Sequence, residues 1–225
     1  MKTLLLAFAA LAMSACCCNQ NAPEAEPLAA TPIEFAAEIV LPAPDLTRGV
    51  TISEALQNRR SWREYSPEQL SMEELSGVLW AAAGINRPEN DHLTAPSAMA
   101  LYPIRVYAVF EAGIYRYEAK GHKLVRVVEG DQRAVAGTQP FVVTAPLNLI
   151  YVADLSVYSE RPIPQEKVKY LCGQDAAGYA ENVNLYTAGT GLRSITRGNA
   201  SPNALEVLGL DGEQYFVALA QSVGK

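Results

Sequence analysis

The sequence predicts a single α+β domain built in layers. Helix signals lie before and after a middle stretch of short strands, which are rich in β-branched and aromatic residues and separated by glycine-containing turns. The 225 residues are 49% hydrophobic and 19% charged, an ordinary globular composition with enough chain for one sizeable core.

The N-terminus has the pattern of a secretory signal. Lys2 precedes an apolar run over residues 4–13, and small residues come before Cys16. The run is about half of the ~20 residues that span a bilayer. Residues 13–16 (MSAC) resemble a bacterial lipobox, which implies a signal peptide over 1–15, acylation of Cys16, and an exported domain attached to the membrane only through lipid. Met13 stands where leucine is usual, so plain secretion is the alternative.

Residues 16–47 are expected to be a tether whose last part, 33–41, is extended. Five prolines punctuate this stretch, at positions 23, 27, 32, 42 and 44. The folded domain is therefore expected over residues 48–225.

Helix signals open that domain. Thr51 and Glu54 form a capping box for a helix that ends near Arg59, and Ser71 and Glu74 form a second box for a helix that ends at Gly84. The stretch 85–95 is predicted to be a polar loop, followed by a short helix capped at residues 96–97.

Strands are predicted next, and they are followed by the longest helix. Residues 147–153 are almost entirely apolar, which is typical of a central strand buried on both faces. The remaining predictions are strands at 104–110, 114–117, 124–128, 192–196 and 215–223, and helices at 131–137, 165–188 and 201–209.

Charge and side-chain chemistry exclude some classes of function. The formal net charge of −6 disfavours nucleic-acid binding. His92 and His122 are isolated, which disfavours a metal site, and Cys172 is expected to be buried in the long helix. Against this acidic background, Arg59, Arg60, Ser61 and Arg63 form a cationic cluster that can bind a phosphate, the alternative being a solvated basic face.

Four segments in order carry a resemblance to the nitroreductase family, in its SagB-type FMN-dependent dehydrogenase branch. Residues 59–65 (RRSWREY) resemble the family motif R-R-S-x-R-x-F, and residues 94–103 (TAPSAMALYP) resemble P-S-A-G-x-x-Y-P. Residues 75–85 (LSGVLWAAAGI) are similar to the family helix between them. The family's C-terminal pattern is matched by 189–198 (GTGLRSITRG) and 204–210 (ALEVLGL).

The resemblance implies a three-layer fold with a central mixed β-sheet flanked by helices, in a homodimer with two FMN sites at the subunit interface. By position, Arg59, Arg60 and Ser61 would hold the phosphate and ribityl chain, and Arg63 would face the pyrimidine edge. Arg197 and Gly198 would direct backbone N–H groups toward N5 and O4. The other subunit would pack a short segment beside the ring, namely Pro96, Ser97, Ala98 and Met99. Met99 replaces the usual glycine, which predicts narrower access, and Lys225 could replace absent phosphate ligands.

The expected function is an FMN-dependent oxidoreductase that transfers hydride through flavin N5 to or from a small organic substrate, with no indispensable protein acid or base. One alternative is azoline dehydrogenation in peptide maturation, assisted by Lys169 and Tyr170; the other is a non-catalytic flavin-binding lipoprotein. The sequence names neither substrate nor electron donor. Dimer contacts are expected on the long helix at Tyr179, Val183 and Tyr186.

Overall fold

A computed structural model describes residues 30–198 and 200–225 of the chain. The predicted signal peptide, Cys16 and the tether up to residue 29 lie outside these ranges. The part of the chain that is described builds one seven-stranded sheet, a two-stranded hairpin and four α-helices.

Seven strands pair in the order β1-β6-β5-β4-β7-β9-β8. Six of them lie within a few residues of the predicted strands. The exception, β1, lies in the stretch 33–41 that was expected to be the extended end of the tether; it pairs with β6 and Ile39 is buried, so the folded domain begins before residue 48. In chain order, the bounds are Glu38–Val40 (β1), Ile104–Phe110 (β4), Gly113–Glu118 (β5), Lys123–Glu129 (β6), Leu147–Asp154 (β7), Arg193–Arg197 (β8) and Tyr215–Gly224 (β9). All eight residues of β7 are buried, which confirms the prediction of a central strand.

The expectation of a mixed sheet is wrong for the described strands, because every ladder among the seven is antiparallel. A helix carries the chain from β7 to β8, and these two strands run in the same direction, as in a helical crossover. However, β9 inserts between them and pairs antiparallel with both. Parallel pairing among the described residues is limited to a single bridge between Ser61 and Ser194.

Both capping boxes are present and open helices α1 (Ile52–Asn58) and α2 (Met72–Ala83). The long helix α3 runs over Gln165–Thr190, and α4 is one turn, Ala204–Val207. The remaining predictions need correction. Residues 98–100 and 133–136 form 3₁₀ turns, and Ser201 bonds the side chain of Asn203 rather than capping a helix. The predicted loop at 85–95 contains a hairpin, β2 (Ile85–Arg87) with β3 (His92–Leu93).

The period-2 alternation of the central strands divides the core into two layers. Val106 and Ala108 of β4 face α2 and α3, whereas Tyr107 and Val109 face the opposite layer of α4 and 3₁₀ turns. A layer of secondary structure therefore covers each face of the sheet.

Helix α3 directs its apolar stripe into the core of its own chain. Val168, Cys172, Tyr179 and Val183 are all buried, and burial raises the pKa of the Cys172 thiol to about 11. This confirms the prediction for Cys172. It also makes the predicted dimer contacts at Tyr179 and Val183 wrong, since both are 0% exposed within one chain.

A close approach of α2 to α3 depends on Gly77. A Cβ atom placed on Gly77 would lie 1.8 Å from the hydroxyl oxygen and 2.4 Å from Cζ of Tyr186. The ring of Tyr186 therefore crosses α2 at Gly77, where the absence of a side chain leaves room for it. Tyr186 is half-buried between the two helices.

His122 ties the turn after β5 to the N-terminal segment. The Ser76 hydroxyl donates to the Pro42 carbonyl at 2.6 Å, so it accepts from Nε2–H of His122 at 2.8 Å. The Tyr117 hydroxyl lies 2.7 Å from Nδ1 and donates to it when the ring is neutral. Burial holds the pKa of His122 below its usual 6.5, against an opposite contribution from the Pro42 backbone.

The free energy of unfolding is expected to depend on the protonation of His122. Since the folded pKa is depressed, the stabilisation is complete above about pH 6.5 and is lost as the pH falls through the folded pKa. Urea unfolding of wild type and His122→Gln at several pH values should show a smaller decline for the variant on acidification. His92→Gln is the matched control, and equal slopes in wild type and His122→Gln would contradict the prediction.

Within the ranges described, no helix combines the length and apolarity needed to cross a bilayer. The same ranges contain no group of three or more histidine, cysteine, aspartate or glutamate side chains that could hold a metal ion.

Candidate functional site

The arginine-rich segment leaves α1 and runs against the edge strand β8. Ser61 forms its bridge with Ser194, and the Trp62 N–H donates to the Ser194 carbonyl at 3.0 Å. The Arg193 guanidinium donates to the Glu64 carbonyl at 3.1 Å. The structure therefore brings two of the predicted segments, residues 59–63 and 193–198, to one edge of the sheet.

The predicted flavin-binding side chains of the 59–63 segment point outward, and a tryptophan anchors the segment to the protein. Arg59, Arg60, Ser61 and Arg63 are exposed, whereas Trp62 is half-buried. The guanidinium carbons of Arg193 and Arg60 lie 4.6 and 5.6 Å from the Trp62 ring centroid, distances at which a cation is attracted to the ring.

Sequence reasoning missed Arg193. Its position in the predicted strand could have identified it as a site residue, because Arg193 lies four residues before Arg197 and so shares one face of β8 with it. With Arg193 included, this segment and β8 carry five guanidinium groups, of which only Arg197 is buried.

Arg197 is 5% exposed, and its guanidinium is held inside the protein. Nη1 donates to the Ala136 carbonyl at 2.6 Å, and Nη2 donates to the Ser222 hydroxyl at 3.2 Å. Burial lowers the pKa of Arg197 to about 10, with Tyr65 acting in the opposite direction, so the side chain keeps its charge at neutral pH. Gly137 makes room for it, since a Cβ there would lie 2.1 Å from Nη1.

The backbone of Arg197 pairs with Ala220 of β9, and Gly198 is the first residue beyond β8. The predicted contacts of these two backbone N–H groups with a flavin stay a prediction.

A buried polar network supports the other face of β8. Asn184 of α3 donates to the Thr196 hydroxyl at 3.0 Å and accepts from Ser194 Oγ at 3.1 Å. Gln221 donates to Asn184 at 2.8 Å and accepts from the Tyr151 hydroxyl at 2.6 Å. Because these polar groups satisfy one another, they fix the position of β8 relative to α3.

The 96–99 segment lies elsewhere in the same chain. Ser97 and Ala98 contact Asp175 on α3, whereas β8 packs beside Asn184. Asn184 lies nine positions after Asp175 on the helix, which corresponds to about 14 Å along the axis. Within one chain, the structure therefore does not bring residues 96–99 to the β8 edge.

Lys225 is engaged by carboxylates. Its Nζ pairs with Glu68, and it lies 3.3 Å from Oε2 of Glu74. These ion pairs turn its ammonium toward α2, so the structure gives no support to Lys225 as a phosphate ligand.

Lys169 and Tyr170 lie on the outer surface of α3. Tyr170 is 58% exposed, Nζ of Lys167 lies 4.5 Å from its ring centroid, and Gln174 donates to its hydroxyl at 3.3 Å. This surface position is remote from the buried stripe of the helix.

Comparisons with known proteins agree with this architecture. Residues 56–225 match the model of the nitroreductase family. A protein of Methanocaldococcus jannaschii named as a nitroreductase is 32% identical over 169 residues, which cover 69% of this chain and 81% of the relative.

Solved structures show the same fold. A Ralstonia eutropha JMP134 protein, named as a nitroreductase, superposes with a TM-score of 0.79 at 34% identity and covers 89% of this chain and 95% of its own. A protein from Desulfovibrio desulfuricans, named as a nitroreductase in complex with FMN, superposes with a TM-score of 0.54 at 20% identity and covers 77% and 84% of the two chains. The α+β architecture predicted from the sequence is confirmed, and the chain belongs to the nitroreductase family of oxidoreductases.

Proposed function

We propose that this protein is an FMN-dependent oxidoreductase acting on a small organic substrate. The observation that carries the proposal is the packing of the 59–63 segment against β8, which presents exposed guanidinium groups beside the strand that ends at Arg197. The FMN complex of the Desulfovibrio protein supports the choice of cofactor.

The side chains present fit a phosphorylated flavin. Arg59, Arg60 and Arg63 are exposed cations, and the neighbouring Ser61 offers a hydroxyl, which together suit a phosphate and the polar ribityl chain. Arg193 adds a fourth cation to this donor set. On an acidic chain, so local a concentration of positive charge attracts an anionic ligand to this edge.

When bound, FMN supplies hydride transfer at N5, and the protein supplies position and charge. Arg59, Arg60 and Ser61 would hold the phosphate end. Arg63 would place a cation at the pyrimidine edge, where it stabilises negative charge. The buried Arg197 side chain holds the end of β8, so that the backbone at residues 197–198 is fixed at the site.

A homodimer would complete the site. An apolar groove of about 460 Å³ lies between α1, α2 and α3, lined by side chains that include Val50, Trp80 and Leu185. On α1 beside it, Ile52 and Leu56 are 64% and 58% exposed. We propose that a second copy covers this surface and brings its own 96–99 segment to the flavin, since one chain leaves that segment away from β8.

Titration with FMN tests the proposed function. The purified protein, from residue 30 onward or full length, should be yellow or should bind added FMN, with a visible spectrum that shifts from that of free FMN. Reduction of bound flavin by a chemical donor and reoxidation by nitroaromatic or quinone acceptors would identify an oxidoreductase. Absence of FMN binding would overturn the proposal. A flavin that binds but exchanges no electrons with any acceptor would favour the non-catalytic alternative.

We further propose that the protein is an exported lipoprotein anchored through Cys16, on the lipobox-like residues 13–16. Cys16→Ser should move the protein from the membrane fraction to the soluble fraction or block removal of the signal. Cys17→Ser is the matched control, and it should leave the distribution unchanged. Wild-type protein in the soluble fraction would contradict lipidation.

A further inference from the structure

The loop over residues 96–102 has a strained backbone. Met99, Ala100 and Tyr102 have φ angles of 57°, 53° and 47°, in the left-handed region that residues other than glycine rarely adopt. Such conformations persist only where the surrounding structure holds them. This loop therefore depends on contacts with the rest of the chain.

A buried carboxylate on α3 supplies those contacts. Asp175 is 6% exposed. It accepts from the Ser97 hydroxyl through Oδ2 at 2.6 Å and from the Ala98 N–H through Oδ1 at 3.1 Å. The Ser97 oxygen in turn accepts from the Tyr102 N–H at 2.8 Å. One carboxylate and one hydroxyl thus connect the start of the loop, its end and the helix.

The surroundings make these contacts hard to replace with water. Tyr158 and Tyr179 are 3% and 0% exposed and lie close enough for the charge of Asp175 to raise the pKa of each hydroxyl, after the larger effect of burial. A hydrogen bond to a charged group in such a site is stronger than one at the surface. At the same time Met99, at the middle of the loop, is 51% exposed.

We propose that Asp175 and Ser97 form a latch that holds the 96–102 loop in its strained conformation, and that the latched loop is the form that packs against the flavin of a second copy. The contact with the flavin rests on the proposed function, whereas the latch does not. Asp175 is a positioning residue here, because it acts through Ser97 and Ala98 and lies beneath the exposed part of the loop.

Limited proteolysis of the flavin-free protein tests the latch by itself. Asp175→Asn and Ser97→Ala each remove part of the connection, so chymotryptic cleavage after Met99 or Leu101 should be faster by about ten- to a hundred-fold. Ser97→Thr keeps the hydroxyl at an extended position (φ −140°, ψ 143°) and should restore a rate within about twofold of wild type. Glu166→Gln removes a charge from the same helix at an exposed position and should leave the rate unchanged.

Fragment masses distinguish local opening from unfolding, since unfolding would cut the chain at many sites. If Asp175→Asn does not fold, the cleavage rate of Ser97→Ala is compared with that of Ser97→Thr, and this difference tests the latch. Wild-type cleavage rates in both Asp175→Asn and Ser97→Ala would overturn the latch.

Fluorescence titration of the same variants with FMN tests whether the latched loop packs against the flavin. Asp175→Asn and Ser97→Ala should raise the dissociation constant at least about tenfold, whereas Glu166→Gln should not. Faster cleavage with unchanged FMN affinity would overturn the role toward the flavin and leave the latch standing. If wild type binds no FMN, the proposed function and this role fail together, and proteolysis still decides the latch.

Discussion

Val183→Asp is expected to abolish stable folding, with a loss of at least about 4 kcal/mol in the free energy of unfolding. Val183 is 0% exposed and packs in the main hydrophobic cluster, so the substitution places a carboxylate in an apolar environment. Since domains of this size are stable by roughly 5–15 kcal/mol, most of the stability would be lost. Urea unfolding, or the yield of soluble protein, measures the effect.

Leu185→Asp is the matched control on the same helix. Leu185 is half-buried and lines the groove between the helices, so the same aspartate should leave the chain folded there. If a second copy covers the groove, Leu185→Asp should convert a dimer into a folded monomer in light scattering and weaken FMN binding. A folded Val183→Asp protein would contradict the inward orientation of α3, and a dimeric Leu185→Asp protein would contradict the groove as the interface.

Replacing Arg59 and Ser61 together with alanine is expected to weaken FMN binding by a factor of ten or more. Hydrogen bonds to a charged phosphate contribute roughly 1.5–3 kcal/mol each, and each 1.4 kcal/mol is tenfold in affinity. Both side chains are exposed, while Trp62 anchors the segment through Ser194, so the fold should be retained. The dissociation constant from flavin fluorescence, at low and at high salt, measures the change.

The double variant Arg161→Ala/Ser159→Ala removes the same two side chains at exposed positions outside the proposed site, and its affinity should equal that of wild type. The difference between wild type and the Arg59/Ser61 variant should shrink at high salt, because screening weakens exposed charge contacts. Unchanged affinity in the Arg59/Ser61 variant would remove these residues from the site even if FMN binds elsewhere.

The sequence by itself determined the helices and strands that depend on interactions between residues close together in the chain. The capping boxes at Thr51 and Ser71 place the starts of α1 and α2 because donor and acceptor lie three residues apart. The almost entirely apolar run of β7 predicts burial on both faces, because it lacks the alternation of polar and apolar residues that marks a strand with one exposed side. The motif around Arg59 and the family's other segments likewise identified the family before any contact was known.

The partners of those elements were decided only by the tertiary structure. Helical periodicity shows that Val183 is buried, but the same stripe could face a second copy or the chain's own sheet, and the structure assigns it to the sheet. The insertion of β9 between β7 and β8, which makes the sheet antiparallel, follows from packing between residues far apart in the sequence. The burial of Arg197 and the contacts of Asp175 with Ser97 have the same origin. A polar side chain can be buried only where residues distant in the sequence supply its hydrogen-bond partners, and the spacing of neighbouring residues does not show which residues these are.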